Sequence, residues 1–190
     1  MGLENSWLDR GPEFYFNARH SPGGGGGGRG GKEPDASGGP EDKRPRPLFP
    51  TVVMEAGYSE TLLDMQGKAR DWFRDSNHDI KIVLLAKFDP AQRKIIIQRW
   101  EERQQGEGRP GATTRWASAW IPDCQQMIEI IRDRANSSVY EVTSGDLVLS
   151  FRLLFLRDPR QGEADVIIPL SWMQEYAESV WQAWEALHYM

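Results

Sequence analysis

PTVVMEAGYSE, residues 50–60, sets the architecture of this chain. Residues 51–56 are apolar and rich in β-branched side chains, and Pro50 and Gly57 bound them, so this part is predicted to form a buried strand. Ser59 is placed to cap a following helix, whose apolar residues recur at helical spacing as far as about Asp75. The segment therefore predicts a strand that leads directly into an amphipathic helix.

A second and a third strand follow this helix in the sequence. Residues 80–88 are apolar except for Lys81 and Lys87, a composition that is typical of a buried strand. The order strand, helix, strand favours parallel pairing through a crossover connection. Residues 94–100 predict another strand, antiparallel to the second, because only a short turn at Asp89-Pro90 separates the two runs.

The remaining elements are predicted from shorter patterns. They are a strand at 13–18, a polar loop at 101–112, a strand at 114–121, a helix from Pro122 to about Arg134, a hairpin of 139–142 with 147–156, a short apolar segment at 165–170, and a helix capped by Ser171 with an apolar stripe. The predicted fold class is α/β with an α+β tendency, in which helices flank a mixed central sheet. Two regions are predicted: a partly disordered, Gly-rich segment at 1–31 and a single domain at 32–190.

Composition narrows the classes of protein to be considered. The chain has 190 residues, enough for one domain with a real core, and a net charge of −5, which argues against a binder that holds nucleic acid by overall charge. One cysteine, Cys124, cannot form an intramolecular disulfide and fits a reducing compartment. No apolar run reaches 18 residues and the N-terminus lacks a signal core. We therefore expect an intracellular protein, nuclear or cytoplasmic, with no membrane partner.

Two carboxylates are the candidate chemical centre. Asp35 follows Pro34, which holds the chain extended, and Glu55 ends the first buried strand. If the two segments pair, both carboxylates can bind one Mg²⁺ or Mn²⁺ ion, which polarises a phosphodiester. The alternative is that Asp35 is a solvated loop acid and that Glu55 has a structural partner, as most acidic residues do.

These residues stand in motifs that resemble the PD-(D/E)XK nuclease superfamily, which has the restriction-endonuclease-like fold. The resemblance rests on KEPDAS at 32–37, VVMEAGYSE at 52–60, and then Asp64 and Lys68 on the next helix. It covers about residues 33–88, and uncharacterised fungal members related to a bacterial family of endonucleases are the most similar. By this resemblance, Asp35 and Glu55 are the metal-binding acids of a DNA-cleaving site.

The chain departs from the superfamily pattern at Gly57, where the catalytic lysine is expected two residues after Glu55. Some branches of the superfamily carry this lysine on the following helix, which makes Lys68 the third candidate catalytic residue. Lys68 is also four residues from Asp64, so an ordinary salt bridge on the helix surface is the alternative. Lys87, near the end of the next strand, is a second candidate lysine, and Lys32 a weaker one.

Two functions are consistent with these residues. The first is a metal-dependent endonuclease-like protein that hydrolyses DNA phosphodiester bonds with Asp35, Glu55 and Lys68. The second is a catalytically degenerate form of the same fold that serves as a binding or oligomerisation module, for example as a homodimer. Gly57, the acidic net charge and the aromatic C-terminal helix favour the second function.

Overall fold

A computed structural model describes residues 14–18, 33–45, 48–104 and 120–188. Its elements are β1 (Phe14–Ala18), β2 (Ala36–Pro40), β3 (Val52–Gly57), α1 (Leu62–Asp75), β4 (Ile82–Asp89), β5 (Lys94–Gln104), β6 (Trp120–Arg132), β7 (Tyr140–Val142), β8 (Leu147–Leu149), α2 (Phe151–Phe155), β9 (Val166–Ile168) and α3 (Leu170–His188). Strands β1 to β7 form one sheet in sequential order, and β8 pairs with β9 in a second, two-stranded sheet.

The large sheet is mixed, as the sequence predicts. β3 and β4 are parallel, with a register from Val52 opposite Ile82 to Gly57 opposite Lys87, and α1 connects them. Every other pairing in this sheet is antiparallel. The predicted strand–helix–strand unit and the mixed α/β class are therefore confirmed.

Apolar layers cover both faces of the sheet. On one face α1 contributes Met65, Ala69, Trp72 and Phe73 to a cluster with side chains of β3, β4 and β5. On the other face α2 and α3 pack on a second cluster, which includes the buried Trp181. Because both faces are covered, all four residues at 82–85 in β4 are buried. Each such side chain contributes about 1.5–3 kcal/mol when it leaves water.

The start of α1 differs from the sequence prediction. Thr61, not Ser59, is the N-cap: its hydroxyl accepts a hydrogen bond from the Asp64 backbone N–H at 3.1 Å. The Asp64 carboxylate accepts in return from the Thr61 backbone N–H at 3.3 Å. This reciprocal capping box satisfies two backbone donors at once, which Ser59 cannot do.

The helix predicted from Pro122 to Arg134 is wrong, because these residues form the 13-residue strand β6. Burial follows a period of two, with Ile128, Ile130 and Arg132 buried. Pro122 is tolerated because β7 pairs only with residues 130–132, which leaves β6 one neighbouring strand at Pro122 among the described elements. The polar loop predicted at 101–112 is also wrong for residues 101–104, which continue β5.

The predicted hairpin of residues 139–142 and 147–156 is also wrong. β7 pairs with β6, β8 pairs with β9, and α2 occupies the end of the predicted second strand. Ser144 and Gly145 have φ angles of 68° and 75°, so two successive left-handed residues turn the chain away from β7. In α3 the buried residues are Met173, Ala177 and Trp181. This face is offset from the apolar stripe predicted for the helix, which consists of Met173, Tyr176, Val180, Trp184 and Leu187.

Of the predicted N-terminal segment at 1–31, the structure describes only β1. This strand pairs with β2 through the register Phe14 opposite Pro40 to Ala18 opposite Ala36. The Gly-rich residues 21–31, predicted as a flexible linker or a long hairpin loop, and most of the strand predicted at 114–121 lie outside the described residues. No helix in the described part of the chain is long and apolar enough to cross a membrane.

A bidentate ion pair closes the loop after α2. Arg157 donates to both carboxylate oxygens of Glu163, at 2.6 and 2.8 Å, and the Arg160 backbone N–H donates to the same carboxylate at 2.7 Å. The Arg157 guanidinium also lies 4.9 Å from the centre of the Phe151 ring. The hydrogen bonds from Arg157 and from the Arg160 N–H lower the pKa of Glu163 to about 2.

We expect Glu163→Gln to destabilise the protein at neutral pH but not at strongly acidic pH. The folded-state pKa of Glu163 is depressed, so its stabilising effect is complete above the usual value of 4.5 and disappears as the pH falls towards 2. Urea unfolding of both proteins between pH 7 and pH 2.5 checks this. A stability difference that is constant over this range would contradict it.

Candidate functional site

β2 and β3 place Asp35 and Glu55 side by side. The antiparallel register pairs Ala36 with Met54, and its continuation by one residue sets Asp35 opposite Glu55. Directly opposed residues have Cβ atoms about 4.5–5.5 Å apart. The Asp35 carboxylate accepts a hydrogen bond from the backbone N–H of Ala56 at 2.7 Å. This bond fixes the carboxylate at the start of β2, beside Glu55.

Helix α1 fixes the Glu55 side chain through a hydrogen bond. The Glu55 side chain is only 8% exposed, and its Oε1 accepts a hydrogen bond from the indole Nε1 of Trp72 at 2.8 Å. Trp72 was predicted from the sequence only as part of the apolar face of the helix. Its indole N–H is the signal for a further role, because a buried tryptophan normally finds an acceptor.

Lys68 lies one turn before Trp72 on α1, so the two side chains lie on the same face of the helix. Its Nζ donates to Oε1 of Glu60 at 2.6 Å. That hydrogen bond, with the negative charges of Glu60, Glu55 and Asp35, raises the pKa of Lys68 against the opposing effect of burial. The lysine is therefore protonated at neutral pH, and its charge interacts with both predicted metal-binding acids.

The surface pair between Asp64 and Lys68 that sequence spacing suggested is replaced by two other contacts. The Asp64 carboxylate bonds to the Thr61 hydroxyl at 2.6 Å and takes part in the cap of α1. Lys68 pairs with Glu60, which precedes the helix. Sequence spacing missed Glu60 because the loop that carries it folds back over the first turns of α1.

Gly57 occupies the position where the superfamily pattern has a lysine, and α1 explains the substitution. A Cβ atom at Gly57 would lie 2.5 Å from Sδ of Met65 and 3.0 Å from its Cε. Met65 is 1% exposed and is packed in the core between α1 and the sheet. A side chain at position 57 would therefore force the end of the buried Met65 side chain to shift, whereas Lys68 extends from the helix itself.

Lys87, the second candidate lysine, has a different set of contacts. It pairs in register with Gly57 and is buried. Its ammonium donates to the carbonyl oxygens of Tyr58 and Phe88, each at 2.7 Å. Lys87 thus fixes the backbone where β3 ends. Lys32, the weakest candidate, lies outside the described residues.

The donor set fits a small, hard cation. Asp35 and Glu55 supply carboxylate oxygens, which Mg²⁺ and Mn²⁺ prefer. Within the described ranges, no three or more His, Cys, Asp or Glu residues are grouped as a metal site. Two carboxylates nevertheless suit Mg²⁺, which usually keeps several waters and takes only one or two carboxylates from a protein.

Comparison with known proteins adds no relative. No family model, curated protein or solved structure matches the chain. Function is therefore inferred from the geometry of Asp35, Glu55 and Lys68 and from the resemblance of their motifs to the PD-(D/E)XK superfamily.

Proposed function

We propose that this protein is a metal-dependent endonuclease-like enzyme of restriction-endonuclease-like fold that hydrolyses DNA phosphodiester bonds. One observation carries the proposal. The register of β2 and β3 sets Asp35, which directly precedes β2, opposite Glu55. Helix α1 carries Lys68 one turn before Trp72, the residue that donates a hydrogen bond to Glu55. Two acids and one lysine are the set that the resemblance to the PD-(D/E)XK superfamily implies, and they can supply oxygen ligands to a metal ion and positive charge to a phosphate.

Asp35 and Glu55 would hold the metal ion in this proposal. When bound, Mg²⁺ or Mn²⁺ supplies positive charge that polarises the phosphodiester. The Ala56 N–H donates to the Asp35 carboxylate, and the Trp72 indole N–H donates to the Glu55 carboxylate. Each acid is therefore oriented by a hydrogen bond of its own. Such supporting bonds keep ligands in one orientation and sharpen a metal site.

Lys68 acts as a cation in the proposed reaction. Its raised pKa keeps the ammonium protonated at the pH of the cell, so it does not accept a proton from the attacking water. Instead the fixed positive charge stabilises the negative charge that develops on the phosphate oxygens. A partly shielded ammonium is more effective there than one in bulk water because the local dielectric constant is lower.

Lys68→Ala is expected to lower the rate of plasmid nicking in Mg²⁺ or Mn²⁺ by about 100-fold, the typical effect of removing one group that stabilises transition-state charge. Lys94→Ala is the matched control, because Lys94 forms a similar 2.7 Å pair with Glu129 away from the site. Nicking by the wild type should require the metal and stop with a chelator. Equal rates for the wild type and Lys68→Ala would remove Lys68 from the mechanism.

A degenerate binding or oligomerisation module of the same fold is the second candidate function. The observation that favours it is that β3 has a glycine, not a lysine, two residues after Glu55. This glycine, Gly57, packs closely on Met65. This candidate predicts that calorimetry detects no Mg²⁺ or Mn²⁺ binding and that the purified protein is a stable dimer.

A further inference from the structure

We propose that Glu60 is a positioning residue of this site, which holds the Lys68 ammonium beside Asp35 and Glu55. The inference rests on the proposed function and extends it to a residue that neither binds the metal nor contacts the scissile bond. Glu60 lies three residues after Gly57, in the short segment between β3 and α1.

The contact between Glu60 and Lys68 differs from a common surface pair. At 2.6 Å it is short, and the two side chains are about one-third exposed, 36% for Glu60 and 35% for Lys68. The second carboxylate oxygen of Glu60 is buried and has no hydrogen-bond partner among the described residues. Burial of an unpartnered acceptor costs about 1–3 kcal/mol.

The segment that carries Glu60 is fixed on both sides. Before it, the buried ammonium of Lys87 holds the Tyr58 carbonyl oxygen at 2.7 Å. After it, the capping box of Thr61 and Asp64 anchors the backbone to the first turn of α1. Only Ser59 lies between Tyr58 and Glu60, so the backbone of Glu60 is held on both sides. Lys87 and Asp64 therefore help to fix the position of the Glu60 backbone.

A fixed partner matters for Lys68 because its side chain is long and flexible. The side chain of Lys68 has four carbons and about 2 kcal/mol of rotamer entropy, so its ammonium can occupy many positions. Trp72 already occupies one oxygen of Glu55, and the Ala56 N–H occupies one of Asp35. Glu60 supplies a separate carboxylate oxygen, Oε1, which restricts the ammonium through the 2.6 Å contact.

The first test measures the ionisation of Lys68 directly by NMR of ¹³C-labelled lysine side chains in the full-length protein. Glu60→Gln removes the charge that pairs with Lys68, so the apparent pKa of Lys68 should fall. Glu129→Gln is the matched control: it removes the partner of Lys94 and should leave the Lys68 titration unchanged. An unchanged Lys68 titration in Glu60→Gln would overturn the inference.

The second test separates positioning from general stability. Glu60→Ala should lower kcat for nicking by about 10- to 100-fold with little change in KM, as expected when a reacting group is misplaced. Glu60→Gln retains an acceptor for Lys68 and should recover most of kcat at neutral pH. Its activity should decline at a lower alkaline pH than that of the wild type. Full kcat in Glu60→Ala would overturn the inference.

The two tests distinguish failure of this inference from failure of the proposed function. Absence of metal-dependent nicking by the wild type would reject the nuclease, and the Lys68 titration would still decide whether Glu60 holds the ammonium. Wild-type nicking that is unaffected in both Glu60 variants would retain the nuclease and reject the positioning role. Circular dichroism of each variant identifies losses that come from unfolding.

Discussion

Asp35→Asn is expected to lower metal-dependent DNA nicking by about 1,000-fold or more while the fold is retained, because the proposed metal site loses one of its two charged ligands. The amide oxygen of asparagine can still accept the hydrogen bond that the Ala56 N–H now donates to the Asp35 carboxylate. Only the negative charge is lost. The measurement is the nicking rate in Mg²⁺ and Mn²⁺ together with the thermal unfolding midpoint.

The matched control for this variant is Asp42→Asn. Asp42 is an exposed acid in the turn after β2, at the opposite end of that strand from Asp35. Its substitution removes the same charge and should leave nicking unchanged. Calorimetry should show weaker Mg²⁺ binding in Asp35→Asn and wild-type binding in Asp42→Asn. Wild-type nicking by Asp35→Asn would reject the assignment of Asp35 as a metal ligand.

The part of the fold that could be predicted from sequence is the part determined by local patterns. β3, α1 and β4 follow one another with short connections, and each has the burial periodicity of its own element, so their order and parallel pairing could be predicted. β6 could not, because Ile128, Ile130 and Ile131 satisfy a helical and a strand period equally over so short a run. Pairing with β5 along 11 positions decides in favour of the strand.

The candidate site also has a part that could be predicted from the sequence and a part that could not. The pairing of Asp35 with Glu55 could be predicted because a proline and a strand end are visible in the sequence. The partners that hold them could not, because the contact between Trp72 and Glu55 joins residues 17 positions apart. The 2.6 Å contact of Glu60 with Lys68 likewise depends on how the segment before α1 folds over the helix. Such contacts arise from tertiary packing and have no periodic signal in the sequence.

Gly57 is the position at which packing and the superfamily pattern conflict, and it gives the second large expected effect. Gly57→Lys should destabilise the protein by about 1–3 kcal/mol, as overpacked cores do. The reason is that the new Cβ would lie 2.5 Å from Met65 Sδ. In a Lys68→Ala background, Gly57→Lys should also fail to restore nicking. Chemical denaturation and the nicking assay measure the two effects.

Met65→Ala provides the matched test, because it removes the atoms that a side chain at Gly57 would meet. Alone it should cost about 2–5 kcal/mol, since it empties part of a buried core. Combined with Gly57→Lys, it should cost less than the sum of the two single variants, by about 0.5–3 kcal/mol. Strict additivity would show that Met65 does not exclude a side chain from position 57. A favourable coupling would instead indicate that the Met65 side chain is what a residue larger than glycine meets at position 57.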